Sequence, residues 1–411
     1  MELRGKTGDG KYATYKMYLG KDNFVNYDVQ RNYFYKVDLT LNGVSAFDGR
    51  INSGKLMPTS NCYMLLPGQT IVIPATARIA EGWTTIKGTS TNYLVNGEKW
   101  TANLLWTDNA NGVGAAGSVA SIKADPAGGY IWVTAGSAPG NSVIAAKRAD
   151  GTVAWSWHIW VTDYNVSVSP AQKGTTYNSN NLTFMDRNLG ATTSTSATVT
   201  TLGLLYQWGR KDPFPGANAV TTGTTTPLQI YAADKTPLTQ GTSGTGIKYL
   251  VGTSTLTNAA NNPATFLAPN GGNNNDWCSP QNSTLWGSPT GLALPNVKSV
   301  YDPCPPGWRV AYRSEPLGII TPWYDLSTSK GLYNLGWDFT SYGASYYPAT
   351  GYRSASDGTL NGVGNQLNMF CATASGSTNA YSFYFVYSPS AFDNYHADSR
   401  GHGFPVRCVK E

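Results

Sequence analysis

Histidine and charge are scarce in this chain: 411 residues carry only 3 His, and charged residues are 13% of the total. General acid–base chemistry would have to rest on carboxylates. The formal net charge is +5, small for this length, and Lys and Arg are scattered. There is no basic run interleaved with aromatics of the kind that binds nucleic acid, so none is expected as a partner. No stretch approaches the roughly 18 apolar residues of a membrane span. The 5 cysteines form neither a CxxC pair nor a Cys/His cluster, which argues against zinc. Their odd number leaves at least one thiol over, or one paired between molecules. The start, MELRGKTGDG, has no apolar signal region. Two readings follow, a cytosolic protein or a piece whose export signal lay upstream; the surface-type composition favours the second.

What the chain has in quantity is strand and turn chemistry. There are 45 Gly and 26 Tyr, with Ser, Thr and Asn filling much of the rest. This balance is poor in helix formers and predicts a mainly β protein with long polar loops. The core has ample material, with 41% hydrophobic residues including 13 Trp. The length corresponds to roughly two to four domains of about 100–200 residues.

Three segments stand out. In residues 1–45, Tyr33, Tyr35, Val37, Leu39 and Leu41 alternate with Phe34, Lys36, Asp38, Thr40 and Asn42, a strand with one buried face that stops at Asn42-Gly43. So short a segment buries too little to stand alone and reads as the end of something larger. Residues 46–166 open with SNCYMLLPGQTIVIPA, a strand–turn–strand signal, and continue with short apolar runs at 103–106, 118–123, 130–134 and 142–146. Their spacing of roughly 10–15 residues predicts an independent antiparallel sandwich. It closes at AWSWHIWV, where Trp155, Trp157, Ile159 and Val161 are expected inside and His158 outside. Residues 167–411 have fewer strands and longer loops, notably 192–201, 217–226 and 270–276. Long loops usually carry function or move. GLLYQWGR, KSVYD, GWRVA, YSFYFVY and GFPVRCVK read as the fixed frame between them. Within it, YDPCPPGWRV sets a cysteine among three prolines, a rigid corner that starts a strand at Trp308.

FMDRNLGATT (184–193), GLLYQWGRKDPFPG (203–216), SVYDPCPPGWRV (299–310) and FPVRCVK (404–410) in that order resemble the Fibrobacter succinogenes major paralogous domain, common in surface proteins of Bacteroidetes. The middle segment looks like the immunoglobulin-like sandwich that often precedes that domain. YLGKDNFVNYDVQRNYFYKVDLTLNG resembles the closing strands of a fimbrillin domain of the Mfa type, which builds type V pili. The resemblance implies a loop-rich α+β C-terminal domain on a C-type-lectin-like scaffold. It also implies a disulfide between Cys304 and Cys408, with Cys278–Cys371 as a second bridge. The implied function is a cell-surface tip or minor pilin adhesin, extracellular on a fimbrium, not an enzyme. Its partners would be a glycan or a host or bacterial surface protein, and other pilin subunits through the fimbrillin part. The alternatives are a surface enzyme on a formylglycine-generating or lectin-like scaffold, and a ligand-free stalk subunit.

Individual side chains divide between frame and site. Asp186-Arg187, Arg210-Lys211-Asp212, Trp208 and Trp308 read as structural. His396 and His402 stand six apart without a third ligand of usual spacing. Calcium-dependent sugar binding would need an EPN-type loop and a WND-type strand. Here Leu317 follows Glu315-Pro316, and Asp276-Trp277 runs in reverse order, so no cofactor is expected beyond a structural calcium, which the loop oxygens leave open. The expected ligand site is the aromatic stretch 323–353: Trp323, Tyr324, Tyr346, Tyr347, Tyr352 and Arg353. Flat rings stack on sugars or peptides, and the Ser and Gly between them supply adaptable polar contacts.

Overall fold

The computed structural model describes residues 2–6, 12–16, 55–57, 59–76, 94, 98–163, 172–173, 183–269, 275–287, 298–313, 335–338, 345–386 and 391–411. Among them the protein is mainly β, with mostly antiparallel sheets and one short α-helix, Leu256–Asn261. Near the start, Glu2–Lys6 pairs antiparallel with Tyr12–Lys16. The strand expected at 33–42 lies outside the described residues.

Two sheets form the sandwich. One orders the strands Lys55–Leu56, Thr70–Pro74, Tyr130–Ala135 and Val119–Asp125. The other orders Pro237–Leu238, Ile230–Tyr231, Trp100–Thr107, Gly140–Arg148, Val153–Val161 and Cys62–Leu65. Ile71, Ile73, Ile131 and Val133 from the first and Ile144, Trp157 and Ile159 from the second belong to one buried cluster. Two pairings are parallel, His158 with Cys62 and Lys55 with Ile71. Residues 46–166 do not close the sandwich by themselves. Two strands of the larger sheet come from residues 230–238, and the same cluster continues into Leu204, Tyr206, Trp208, Trp277 and Val406.

The strand Val153–Val161 explains that continuity. Every residue in it is buried. Trp155 and Trp157 are inside as the alternation predicts, but His158 is only 1% exposed, which corrects its expected outward position. The second face of the strand is covered by the C-terminal segment instead of water. Ser156 Oγ donates to Asp212 Oδ1 at 2.6 Å, and Trp160 Nε1 donates to the Ala191 carbonyl at 3.1 Å. His158 lies between Asn141 and Tyr206, with Nε2 2.9 Å from Asn141 Oδ1 and Nδ1 3.3 Å from the Tyr206 hydroxyl. Asn141 spends its amide hydrogens on Asp108 and the Gly190 carbonyl, so its oxygen accepts and His158 Nε2 carries the proton. The imidazole is neutral, with Tyr206 donating to its other nitrogen.

The proline-fixed corner docks on the same strand's surroundings. Pro305, Pro306 and Gly307 form a tight turn in which Trp308 N donates to the Pro305 carbonyl at 3.1 Å and Gly307 takes φ +76°. Cys304 is bonded to Cys408, closing a loop of sequence separation 104. Chain entropy for such a loop contributes about 4–5 kcal/mol, by a mechanism that is model-dependent. Asp302, 1% exposed, organises the turn: its carboxylate accepts from Cys304 N at 2.8 Å, Val310 N at 2.9 Å and Lys298 Nζ at 2.8 Å. Lys298 completes its three donations at the carbonyls of Cys304 and Trp308. The sandwich reaches over through Asn61, which donates to the carbonyls of Val300 and Asp302, and through Ser60, which donates to that of Cys304. The strand Trp308–Val310 then pairs with Cys408–Lys410, which also meets Thr183–Phe184. The second bridge is not formed: Cys278, Cys371 and Cys62 are buried thiols outside any disulfide. Cys278 instead donates to the Pro280 carbonyl at 3.3 Å.

Burial pulls the His158 pKa from its ordinary 6.5 down to about 3. The unfolded chain takes a proton near 6.5 and the folded chain does not. The contribution is therefore complete above about pH 6.5 and is lost as pH falls toward 3, at about 1.4 kcal/mol per unit at most. Urea unfolding from pH 7 to 4 should show a steeper loss in the native protein than in His158→Gln; equal slopes would mean that this residue is solvated. Asp302→Ala strands two buried N–H groups and a lysine, and should cost about 3–5 kcal/mol in the same assay.

Candidate functional site

The expected ligand residues part company in the structure. Trp323 and Tyr324 lie outside the described residues. Tyr346 and Tyr347 are 7% and 2% exposed and Arg353 is fully enclosed, so these three are corrected from ligand site to core. The reason is a core short of aliphatic side chains. The strand Tyr346–Pro348 pairs with Gly336–Asp338, and Trp337 stacks on Phe385 at 4.7 Å. Tyr347 meets Phe383 edge-on at 5.9 Å, and the Arg407 guanidinium sits 3.6 Å from its ring centre.

Buried guanidiniums hold the loops in place. Arg353 donates to the Pro215 carbonyl from Nε and Nη2, to the Gly358 carbonyl at 2.8 Å and to the Tyr249 hydroxyl. Arg400 binds Asp276 Oδ2 at 2.9 Å, the Gly376 carbonyl at 2.9 Å, and lies 4.4 Å from the Trp208 ring centre. Arg407 bonds Asn188 Oδ1 and the Tyr346 carbonyl. A loop has no ladder to take its carbonyls, and a planar five-donor group supplies several partners at once. Arg210 and Lys211 do the same: Arg210 donates to the Thr265 carbonyl at 2.6 Å, and Lys211 joins Ser156 and Asp212 beneath the Trp155 ring. The cavity beside Arg210, Lys211, Asp212 and Trp277 holds only about 10 Å³, room for one water and for no substrate.

Tyr352 alone of the described candidates keeps an accessible ring, and it leads to a site that the sequence reading missed. The ring meets His402 edge-on at 5.1 Å, and His402 stacks on Phe404 at 5.4 Å. Ala355 N donates to His402 Nδ1 at 3.0 Å, which fixes the ring. Beside them lies the sheet of Gln366–Ser375, Asn379–Val386 and Ala391–Ser399. Leu367, Met369, Phe383 and Phe385 form its core face. Period two places Gln366, Asn368, Phe370, Ser382 and Tyr384 on the opposite face, with Asn368 opposite Tyr384 and Ser382 between Phe370 and His396; Asn368, Phe370 and Ser382 are buried, so only part of this face is open. Tyr384 stacks on His396 at 4.7 Å, and His396 Nε2 lies 3.4 Å from Asp398 Oδ1. Asn368 and Ser382 also donate to Asp398.

Electrostatics bind the two halves together. Burial alone would raise the Asp398 pKa, but His396, Ser382 and Asn368 outweigh it and hold the carboxylate below its ordinary value. Burial raises Tyr352, helped by the Asp398 charge, and burial lowers His402 against that same charge. The result is a fixed, ionised acceptor between partly exposed aromatic rings. Such a pairing orients hydroxyl or amide donors while a flat face stacks. The sequence signals were present: the Phe/Ser and Phe/Tyr alternation within AYSFYFV, and YHADSRGHGF. Neither says which face the fold leaves open. Among the described residues no three His, Cys, Asp or Glu side chains converge as metal ligands.

No described helix is long and apolar enough to cross a membrane. A family described as a domain of unknown function (DUF4906) matches residues 1–39. No curated protein and no solved structure matches the chain.

Core and site aromatics are separable by experiment. Tyr347→Ala should lower stability by about 3–5 kcal/mol in denaturant unfolding, the usual loss for a buried aromatic ring. Tyr352→Ala, partly buried against His402 and Phe404, should cost less, about 1–2 kcal/mol. A reversal of the two would return Tyr347 to the surface.

Proposed function

We propose that the protein is a non-enzymatic surface adhesin of a Bacteroidetes fimbrium, and that it binds a glycan at the Tyr352–Tyr384–Asp398 face. The observation that carries the reading is the arrangement at that face: partly exposed tyrosine and histidine rings around one ionised carboxylate, set on a frame whose own charges are buried and hydrogen-bonded. A sugar presents an apolar ring face with hydroxyls at its edge, and the site offers a stacking surface and a hydroxyl acceptor in the same order. The disulfide-clamped corner supports an extracellular setting, since such bonds persist in oxidising compartments. The family match at residues 1–39 falls on part of the stretch whose motif resembles the closing strands of a fimbrillin. In this reading that part joins other pilin subunits, the sandwich spaces the binding domain from the pilus, and the four-motif C-terminal domain meets the partner.

A glycan array that also carries matrix proteins tests the reading. The native chain should bind a defined set of saccharides, and Tyr352→Ala and Tyr384→Ala should each weaken that binding at least tenfold while each variant still unfolds in one cooperative transition well above the assay temperature. Binding only to proteins, or glycan binding untouched by both variants, would refute it.

A further inference from the structure

A groove that shares no lining residue with the Tyr352 face lies where the sandwich meets the helix. The hairpin linking Gly140–Arg148 to Val153–Val161 and the segment 256–265 enclose a cleft of about 450 Å³. An adjoining cleft of about 200 Å³ runs along the helix toward the strand Ile247–Val251. Asn258, Asn262 and Thr265 line both, so the two are one groove. The larger part alone falls within the roughly 300–1,000 Å³ usual for ligand sites.

The lining chemistry is one-sided. Lys147 stands in one part and Lys248 in the other, and no Asp or Glu lines either. Neither lysine makes an ion pair among the described residues. Leu105, Val153, Pro263 and Ala264 supply an apolar wall. The middle is amide-rich, and its members are not equivalent. Asn258 is committed to the fold, donating to Ser254 Oγ at 2.7 Å and accepting from Asn262 at 3.1 Å. Asn261 differs: its Oδ1 is buried and has no hydrogen-bond partner. A buried acceptor without a donor costs about 1–3 kcal/mol, a cost that an O–H or N–H brought by a ligand would relieve. The nearest carboxylate along the hairpin, Asp150, is turned to its own loop, where it accepts from Thr152 N and Oγ1.

We infer that this groove binds a short carboxylated oligosaccharide: sugar hydroxyls donate to Asn261 Oδ1, ring faces lie on the Pro263–Leu105 wall, and the acid groups meet Lys147 and Lys248. A neutral saccharide would leave both lysines unused. A simple inorganic anion would leave the amide acceptor and the apolar wall unused. The inference shares the carbohydrate theme of the proposed function, but it uses none of the residues of the Tyr352 face. Failure there therefore leaves it standing.

Calorimetric titration of the full chain with a galacturonic acid trimer tests it, with a neutral galactose trimer and sodium sulfate as controls. The acidic trimer should bind at low salt and weaken as salt rises. Lys147→Gln, Lys248→Gln and Asn261→Ala should each lower its affinity about threefold to tenfold, and Tyr352→Ala should not change it. Lys248 is exposed and Lys147 half-buried, so the lysine variants keep the fold testable if Asn261→Ala does not fold. Binding of the neutral trimer at equal strength overturns the inference. So does full competition by sulfate at equal ionic strength, or the absence of any acidic-trimer binding.

Discussion

The strand Val153–Val161 is covered on both faces, and much of the rest of the structure answers to that constraint. A strand of a free-standing two-sheet sandwich would turn alternate residues to water. Here Ser156, His158 and Trp160 turn instead into a second layer built from the C-terminal segment. Each polar group taken out of water then needs a partner, because an unpaired one costs far more than a paired one returns. The chain supplies partners from far along the sequence: Asp212 and Lys211 for Ser156, Asn141 and Tyr206 for His158, the Ala191 carbonyl for Trp160. The motifs GLLYQWGRKD and FMDRNLGATT are thus the other half of the sandwich interface.

Building two regions as one body has a consequence for the loops. The disulfide corner, the Asp302 turn and the buried guanidiniums of Arg353, Arg400 and Arg407 all anchor the bases of irregular segments to a continuous core. Rigid bases leave the accessible side chains at defined places. Both proposed recognition surfaces lie on such fixed elements: the Tyr352 face on paired strands, and the amide-lined groove between a hairpin and a capped helix. The helix itself starts at Thr255, whose hydroxyl accepts from Asn258 N at 3.2 Å.

Much of the architecture was legible from local chemistry. Alternation and turn residues marked the strands at 103–106, 118–123, 130–134 and 142–146, and each lies within or largely overlaps an observed strand. Family resemblance, more than spacing, pointed to Cys304 with Cys408. His158 was illegible because period two reports that two faces differ, without reporting that the second is covered by another part of the chain. The site was less legible still. Tyr346, Tyr347 and Tyr352 share one local composition, yet two are buried in the core and one keeps part of its ring open. What buries Tyr347 is contact with Phe383 and Arg407, far along the chain and invisible to local composition. Asn261 carries no local signal at all, since an amide in a helix end is ordinary until its oxygen proves to be unpartnered.

Native-state hydrogen exchange on the full chain tests most directly whether sandwich and C-terminal frame are one cooperative unit. The amides of Val153–Val161, Leu204–Gln207 and Cys408–Lys410 should open with the same free energy and respond equally to added denaturant, as members of one unfolding unit do. If the strand Val153–Val161 stayed protected while Leu204–Gln207 and Cys408–Lys410 exchanged through a separate, lower-energy opening, the two regions would be independent domains and the shared core would not govern the fold.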